Sequence, residues 1–327
     1  MSERVLIVGG SGYVGQYICR DLPIYLGDRY EFYATYCNTN VFNEHKELFP
    51  KIKQSYKTDF ETGEKEIFEA IDRVKPTFVI NPSAMSAVVQ CQNNPDAAFR
   101  VNDPSWWASH AMLNGCKRFI HISTDMVYKG DNPPYSEDSI SEPLKSMIYG
   151  VSKKKGEDNL LKTIPATILR SALVIGRPSV SGSGRGSCLD WVISSLNKSS
   201  PENQCKFFDN EERSPLLVDD MVRVIAGIIT SHDRLESPLL LNVGGETQCS
   251  RYDIGNAVAQ RLGIPSTHYI PSKQEPIAAG IERPLHIQMS IEKLKQKLGI
   301  QMCTLDQSMD FIFSLKPYPF NFNGSKE

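Results

Sequence analysis

The chain contains 327 residues, of which 40% are hydrophobic and 23% are charged, and its formal net charge at pH 7 is -2. This near-neutral balance provides no global basic field, which argues against nucleic acid as a partner and leaves small anionic ligands open. The length allows either one large α/β unit or a nucleotide-binding domain with a smaller companion.

Membrane insertion and disulfide bonding are not expected from the sequence. No apolar run approaches the roughly 20 residues needed to cross a bilayer. The first predicted strand is reached by Arg4, so we expect no cleavable signal ahead of the fold and a cytoplasmic location. The eight cysteines form no C-x-x-C pair, which favours reduced, partly buried thiols over a zinc site or a disulfide framework. We therefore expect no bound metal.

The N-terminal segment RVLIVGGSGYVG, residues 4–15, combines a strand, a glycine turn and the start of a helix. The apolar run 5–8 is typical of a parallel strand buried on both faces. The three glycines that follow suit a tight turn, a close approach to a diphosphate and close helix packing, and the helix N–H groups would face the phosphates. Glycines alone also fit an ordinary tight turn, but this position favours a dinucleotide site. The predicted cofactor contacts here are Gly9, Ser11, Gly12, Tyr13, Val14 and Gly15.

The second predicted strand, residues 30–36, ends without a carboxylate. A fold selective for NAD usually places Asp or Glu about 20 residues after the glycines, where it accepts from the ribose 2′-OH. Here the sequence at 35–38 is TYCN. The missing carboxylate removes repulsion toward a 2′-phosphate, although no arginine is visible to bind one. We therefore favour NADP(H) as the cofactor and leave NAD(H) open.

Strands and helices continue to alternate through the first half of the chain. The predicted elements are strands over 54–57 and 77–81 and helices over 62–74 and 95–114. Proline cannot donate inside a helix, so we expect the first helix to break near Pro23. Pro104 either kinks its helix or starts a new one.

A threonine, a tyrosine and a lysine follow a further predicted strand over 119–123. This strand leads into STD at 123–125, where the C-terminal edge of a parallel sheet should open onto a ligand. Tyr149 and Lys153 come later, and four residues on a helix bring two side chains to the same face. A Tyr-x-x-x-Lys pair by itself is usually a solvated helix face, so its interest comes from its position after the glycine turn and the STD strand.

These residue types suit the reduction of a carbonyl. A nearby ammonium favours phenolate, and lowering the tyrosine pKa from about 10 by roughly 3 requires about 4 kcal/mol, of which Lys153 can supply part. The same ammonium can hold the nicotinamide ribose hydroxyls. Thr124 would donate to the substrate carbonyl, and Tyr149 would deliver the proton as the cofactor delivers hydride.

The second half of the chain continues the α/β pattern. Its predicted elements are strands over 167–175 and 239–243 and helices over 221–230, 251–262 and 291–298. Asp219 or Asp220 is expected to cap the first of these helices and Ser250 the second. In the Gly/Ser-rich loop over 179–187, Arg185 could meet an anionic ligand, although a solvated arginine is the simpler interpretation. The tail from 316 to 327 could be disordered or dock into a partner.

The run STDMVYKGDNPPYSED, followed by YGVSKKKGE, resembles the dTDP-4-dehydrorhamnose reductase group of the extended short-chain dehydrogenase/reductases. This group includes the regulatory β subunit of methionine adenosyltransferase, to which the chain is also similar. The resemblance covers nearly the whole chain and implies an α/β fold, with a Rossmann-type doubly wound parallel sheet and a smaller C-terminal α/β substrate lobe. The implied divisions are an NAD(P)-binding domain over 1–175 with a returning strand near 239–243, a region over 176–315 that is mainly substrate lobe, and a tail over 316–327.

The resemblance also implies roles for individual residues in catalysis and cofactor binding. Thr124, Tyr149 and Lys153 would carry the reaction, and the last two would also contact the cofactor. Asp59 would contact the adenine amino group, although capping of the helix over 62–74 explains it equally well. Ser83 and Ala84 would pass beneath the nicotinamide, where small side chains are needed.

The substrate contacts implied by the resemblance are Asp125, Met126 and Arg283. Met126 stands where the group commonly has an aromatic residue, which distinguishes this pocket from the usual 4-keto-sugar pocket. Arg283 belongs to an Arg-Pro segment that borders the nucleotide-sugar site in the group. It would contact a diphosphate there, or it would be a structural arginine at a domain boundary.

Two functions remain as hypotheses. The first is an NAD(P)H-dependent reductase of a small-molecule carbonyl, with a nucleotide-linked 4-keto sugar as the substrate class. The second is a regulatory subunit that keeps a dinucleotide site for stability and binds the catalytic chains of methionine adenosyltransferase. The DNPPY run at 131–135 and the aromatic tail motivate this alternative.

Overall fold

The fold is built around one parallel sheet of seven strands. The structure is a computed structural model that describes residues 2–182, 186–275, 280–316 and 318–320; the interpretations of Arg185 and of most of the tail fall outside these residues. The strands are β1 (Glu3–Ile7), β2 (Tyr30–Tyr36), β3 (Ile52–Lys57), β4 (Phe78–Asn81), β5 (Arg118–Thr124), β6 (Thr167–Ser171), β7 (Val174–Ile175), β8 (Cys205–Phe208), β9 (Glu212–Arg213), β10 (Leu216–Leu217), β11 (Leu239–Val243), β12 (Cys249–Ser250) and β13 (Tyr269–Ser272).

Helices connect most of the strands and cover both faces of the sheet. Those in the described residues are α1 (Tyr13–Leu26), α2 (Val41–Glu44), α3 (Lys65–Val74), α4 (Val88–Asn93), α5 (Pro95–Asn102), α6 (Ser105–Leu113), α7 (Ile148–Thr163), α8 (Cys188–Asn197), α9 (Val218–Thr230), α10 (Arg251–Leu262), α11 (Glu292–Leu298) and α12 (Leu305–Ile312). None of the helices within the described ranges is long and apolar enough to span a membrane.

The strand order of the large sheet is β11-β6-β5-β4-β1-β2-β3, and every neighbouring pair is parallel. The order reverses between β1 and β4, so the connections from these two strands run to opposite sides. This is the doubly wound arrangement, which leaves a crevice at the C-terminal ends of the strands. The predicted Rossmann-type fold is confirmed.

The apolar run of β1 is uninterrupted because both of its faces are buried. Val5 and Ile7 belong to the hydrophobic core on the side of α1 and α9. Leu6 and Val8 belong to the core on the side of α3 and α6. Successive side chains of a strand point to opposite faces, so a strand between two helical layers needs apolar residues at every position.

A smaller C-terminal lobe packs beside the sheet. Its parallel strands β8 and β13 share a core with α8, α10 and α12. Ser250 caps α10 as predicted, and the cap is reciprocal: the Ser250 hydroxyl accepts from the Asp253 backbone N–H, and the Asp253 carboxylate accepts from the Ser250 N–H. This capping box satisfies two N–H groups that would otherwise lack partners.

Three local predictions can be compared with the observed helix boundaries. The predicted break near Pro23 is wrong, because α1 continues to Leu26 and Gly27 closes it with a 3.0 Å bond to the Pro23 carbonyl. At Pro104, the alternative of a new helix holds, since α6 begins at the next residue. The predicted capping of α9 by Asp219 or Asp220 is wrong, because α9 begins at Val218 without a side-chain cap.

Helix α7, which carries two of the predicted catalytic residues, is held against the sheet by buried polar contacts. The Asn102 amide donates to the Ser152 hydroxyl at 2.9 Å. Glu157 accepts from the Arg170 guanidinium of β6 at 2.8 Å, and both side chains are almost fully buried. Gly156 lies against the end of α5, and an added Cβ would overlap the carbonyl oxygen of Asn102. These contacts tie α7 to α5 and to β6.

We expect the substitution Gly156→Ala to destabilise the protein. The new methyl group would meet rigid backbone at Asn102, and overpacking of this kind costs about 1–3 kcal/mol. Urea denaturation followed by circular dichroism measures the change in the free energy of unfolding. Gly227→Ala in α9 is the matched control, because its Cβ would meet only the end of the Ile300 side chain at 2.9 Å. Equal stability of the Gly156→Ala protein would show that α7 does not depend on this contact.

Candidate active site

A cleft of about 670 Å³ opens at the C-terminal edge of the sheet, where the strand order reverses between β1 and β4. Its volume is within the range of about 300–1,000 Å³ that cofactor and small-molecule sites usually have. The predicted site residues that line it are Gly9, Ser11, Gly12, Tyr13, Val14, Gly15, Asp59, Ser83, Ala84, Thr124, Asp125, Met126, Tyr149 and Lys153. One predicted site residue, Arg283, is absent from this wall.

The glycine turn after β1 needs glycine for two different physical reasons. Gly9 has a φ of +85°, in the region that favours glycine, and an added Cβ would lie 2.8 Å from the Cβ of Ser83. Gly15 is limited by space, because an added Cβ would overlap the Gly9 carbonyl oxygen and lie 2.7 Å from the Gly10 Cα. Gly12 is the N-cap of α1, and no side chain caps this helix. The helix therefore begins at the cleft with its first N–H groups clear of a capping side chain.

Tyr13 connects the glycine turn to the far side of the cleft. Its hydroxyl donates to the Arg177 carbonyl at 2.8 Å, and its ring packs on Tyr17 with a centroid distance of 5.4 Å. Burial raises the pKa of the Tyr13 phenol above its ordinary value. Because the hydroxyl is already engaged, Tyr13 presents mainly its ring to the cleft.

Asp59 lies on the cleft wall but does not cap α3. Its carboxylate accepts from the Glu61 N–H at 3.0 Å and from the Thr62 hydroxyl at 2.7 Å, whereas α3 begins later, at Lys65. The hydrogen bond from Thr62 lowers the pKa of this carboxyl. The predicted cap of the helix is therefore wrong, and Asp59 closes a turn while facing the cleft.

Ser83 and Ala84 follow β4 and form the floor beside the glycine turn. The backbone N–H of Ser83 donates to the Asn81 side-chain oxygen at 3.2 Å, and the Ser83 hydroxyl bonds to the same atom. Ser83 lies so close to the glycine turn that a Cβ at Gly9 would be 2.8 Å from its own Cβ. Pro82, between β4 and these residues, also lines the cleft.

Thr124 and Tyr149 meet at the cleft, as their positions in the sequence suggested. The pKa of the Tyr149 phenol is raised, chiefly by burial; the hydrogen bond with Thr124 opposes this effect, and the charge of Asp125 adds to it. The predicted lowering of this pKa by Lys153 is therefore wrong for this structure. A phenol with a raised pKa stays protonated at neutral pH, so Tyr149 holds the proton that a carbonyl reduction would need.

Lys153 lines the cleft but directs its amine toward the sheet. Its Nζ is 2.8 Å from the Ile122 carbonyl oxygen and 3.1 Å from the Nε2 atom of His121. The side chain is 1% exposed. Burial lowers the pKa of Lys153 to about 7, and the nearby charge of Glu157 opposes this effect. Its partners come from β5, the strand against which α7 packs.

Asp125 and Met126 follow β5 and line the cleft. One oxygen of the Asp125 carboxylate accepts from Thr124 at 3.2 Å, and the other has no hydrogen-bond partner among the described residues. Burial raises the pKa of Asp125 to about 6, although the charge of Arg213 opposes this. The backbone of Met126 packs tightly against α7, because a Cβ added at Gly150 would overlap the Met126 carbonyl oxygen.

Arg213 and Arg251 line the same side of the cleft, and our sequence analysis did not identify either as a site residue. Both pair with the fully buried Glu211, at 3.3 Å and 2.8 Å. Arg283, the predicted diphosphate contact, lies 3.8 Å from the same Glu211 but does not line the cleft. Arg213 lies outside the elements predicted from the sequence, and Arg251 was predicted only as the first residue of the helix capped by Ser250. No local pattern marked them.

Solved structures with the same fold include nucleotide-sugar enzymes. The dTDP-4-dehydrorhamnose reductase of Bacillus anthracis, crystallised with NADP, superposes with a TM-score of 0.77 and 21% identity over 97% of this chain and 100% of that one. The UDP-glucose 4-epimerase of Bifidobacterium longum, crystallised with NAD+ and UDP, gives a TM-score of 0.74 and 17% identity over 97% and 100%. At these identities the comparison establishes the fold.

Relatedness at the level of sequence is clearer. The methionine adenosyltransferase 2 subunit beta of Danio rerio is 25% identical over 304 residues, which cover 92% of this chain and 86% of that protein. The family model described as the RmlD substrate binding domain matches residues 3–314. The predicted resemblance to the dTDP-4-dehydrorhamnose reductase group of extended short-chain dehydrogenase/reductases is confirmed, and the chain belongs to the RmlD substrate binding domain family.

Proposed function

We propose that the protein is a nicotinamide-dependent reductase of a carbonyl, with a nucleotide-linked 4-keto sugar as its substrate class. The observation that carries this proposal is the convergence of Thr124, Tyr149, Lys153 and the glycine turn on one cleft. A site that combines a positioned proton donor with a place for a dinucleotide can reduce a carbonyl. The names of related reductases and epimerases support the substrate class.

The residues of the glycine turn fit a dinucleotide diphosphate. Gly12 carries no side chain, and an added Cβ would have only the Gly9 oxygen nearby, at 3.4 Å. The uncapped N-terminus of α1 offers N–H groups and the positive end of the helix dipole. The cofactor, when bound, supplies the hydride.

The side chains around the carbonyl would then hold the substrate and supply its proton. Thr124, whose hydroxyl would turn from Asp125 to the substrate, donates a hydrogen bond to the carbonyl oxygen and so polarises it. Tyr149, whose pKa is raised by burial, remains protonated and gives its proton to the same oxygen. Lys153 would hold the hydroxyls of the nicotinamide ribose. On the other side, Arg213 and Arg251 provide positive charge for a phosphate group of the substrate.

We expect Tyr149→Phe to abolish turnover while the protein still binds cofactor. Loss of the proton donor should reduce the rate by about 100- to 10,000-fold, and the dissociation constant for NADPH should change by less than about twofold. Activity is measured as the loss of NADPH absorbance with dTDP-, UDP- and GDP-linked keto sugars. Tyr56→Phe is the matched control, because Tyr56 lies on β3 and does not line the cleft. Comparable turnover of the Tyr149→Phe enzyme would remove Tyr149 from the mechanism.

NADPH should bind more tightly than NADH. The end of β2 offers Cys37 and Asn38 where a carboxylate would repel a 2′-phosphate. The acids that do line this part of the cleft, Asp59 and Glu61, come from the loop after β3. We expect at least about a tenfold difference in dissociation constant, or about 1.4 kcal/mol, measured by fluorescence titration. Tighter binding of NADH would reverse the proposed preference.

A second candidate function is regulation of methionine adenosyltransferase, because relatives with that subunit name match more than nine-tenths of the chain. Under this alternative the chain should co-purify with a catalytic methionine adenosyltransferase chain at micromolar concentration. Deletion of residues 316–327 should abolish this binding. Tyr149→Phe should leave it unchanged, which separates this function from reduction. A chain that elutes alone in size-exclusion chromatography would argue against the regulatory role.

The deletion needs a stability control, because part of the tail packs on the body of the protein. Tyr318 donates to Asp220, and Arg223 lies over the ring of Phe320 at 4.4 Å. The truncated chain should therefore be compared with the full chain in urea denaturation. Loss of binding supports a docking role for the tail only if the truncated chain remains folded.

A further inference from the structure

A chain of buried polar groups crosses beneath the cleft, from the loop after β4 to α7. The Ser83 N–H donates to the Asn81 Oδ1 atom at 3.2 Å. The Asn81 Nδ2 atom is 3.1 Å from the His121 Nδ1 atom, and the His121 Nε2 atom is 3.1 Å from the Lys153 Nζ atom. Nζ is also 2.8 Å from the Ile122 carbonyl. Asn81, His121 and Lys153 are each at most 1% exposed.

The direction of each hydrogen bond follows from its donors. A backbone N–H can only donate, so the amide atom of Asn81 that faces Ser83 must be the oxygen. The other amide atom, Nδ2, therefore faces His121, and it too can only donate. Nδ1 of His121 must then accept, which leaves it without a proton.

The same logic determines the protonation state of the lysine. A neutral imidazole with a bare Nδ1 carries its proton on Nε2. Nε2–H then points at the Lys153 Nζ atom, which must accept. An ammonium has three donors and no acceptor, whereas a neutral amine has a lone pair. The amine can also donate to the Ile122 carbonyl, so every contact in the chain is satisfied.

We propose that Asn81 and His121 hold Lys153 as a neutral amine, and that they are positioning residues of the reductase site. The positioning role in catalysis rests on the proposed function, whereas the neutral state of Lys153 does not. Protonation of Lys153 requires His121 to move its proton to Nδ1 and the Asn81 amide to turn over. The turned amide would lose the bond from Ser83, so the charge of Lys153 and the cleft floor at 82–84 are coupled.

The charged groups around Lys153 are consistent with this assignment. On α7, Glu157 favours the ammonium, but its carboxylate is already paired with Arg170 of β6 at 2.8 Å. Asp125, after β5, acts on Tyr149. Burial lowers the pKa of Lys153 to about 7. Burial, together with the charge that Lys153 would carry, holds the pKa of His121 well below its ordinary value, so the imidazole is neutral.

The proton position on His121 can be measured directly by ¹⁵N NMR of histidine-labelled protein, without cofactor or substrate. The His121 signals are assigned by their loss in a His121→Asn variant. At pH 8.5 we expect Nδ1 to be bare and Nε2 to be protonated. A proton on Nδ1, or on both nitrogens, would overturn the proposal. The result is independent of turnover, so a protein with the expected tautomer and no reductase activity would contradict only the proposed function.

Asn81→Asp tests the role of the amide. The substitution keeps an acceptor toward Ser83 and replaces the donor toward His121 by a second acceptor. We expect the His121 proton to move to Nδ1 and the proton affinity of Lys153 to rise at least about tenfold. This affinity is measured by titrating the lysine ¹³Cε signal. Asn114→Asp is the matched control, because its Nδ2 atom is 3.4 Å from the Nε2 atom of His110, outside the cleft. An unchanged His121 tautomer in the Asn81→Asp protein would contradict the role of Asn81. If this variant does not fold, the ¹⁵N NMR measurement on the wild-type protein still tests the proposal.

Discussion

The structure depends on the burial of a polar helix face against the sheet. Helix α7 carries Ser152, Lys153 and Glu157 into the interior, where water cannot solvate them. Each must find a protein partner, because an unpaired buried polar group costs free energy and an unpaired charge costs more. The Asn102 amide, the Ile122 carbonyl and the Arg170 guanidinium supply these partners. A buried ion pair does not by itself guarantee net stability, but it permits only one orientation of the helix.

The two sides of the cleft have different chemistry. Around the glycine turn, glycines and small side chains leave space and backbone N–H groups, and the acids Asp59 and Glu61 line the wall nearby. At the substrate side, Arg213, Arg251 and Arg283 surround the buried Glu211. One carboxylate cannot balance three guanidinium groups, and Asp125 brings only a second one. This excess of positive charge favours an anionic substrate and agrees with the proposed nucleotide-linked ligand.

The contacts of Asp220 illustrate why the catalytic motif alone cannot tell a reductase from a regulatory subunit. Its carboxylate accepts from Arg223, from the Cys303 backbone N–H and from Tyr318, so it joins α9 to the C-terminal region. The residues of this join, Asp220, Arg223, Cys303 and Tyr318, lie far along the chain from Thr124, Tyr149 and Lys153. A regulatory subunit could therefore retain an intact catalytic motif, and a reductase could retain an anchored tail. Reduction and regulation can be distinguished only by a measurement that responds either to the catalytic residues or to the C-terminal region, but not to both.

The sequence alone was sufficient for the features that arise within single elements. The apolar run of β1, the glycine turn, the N-cap at Ser250 and the Tyr149–Lys153 spacing each report which local face is buried or which turn is needed. The partners of Lys153, the pairing of Arg213 and Arg251 with Glu211 and the hydrogen bonds of Asp220 could not be read in this way. They depend on how α7, β5 and the C-terminal lobe approach one another. Periodicity shows that a face is buried, whereas the tertiary structure decides which groups meet it and therefore which hydrogen bonds and charges it must satisfy.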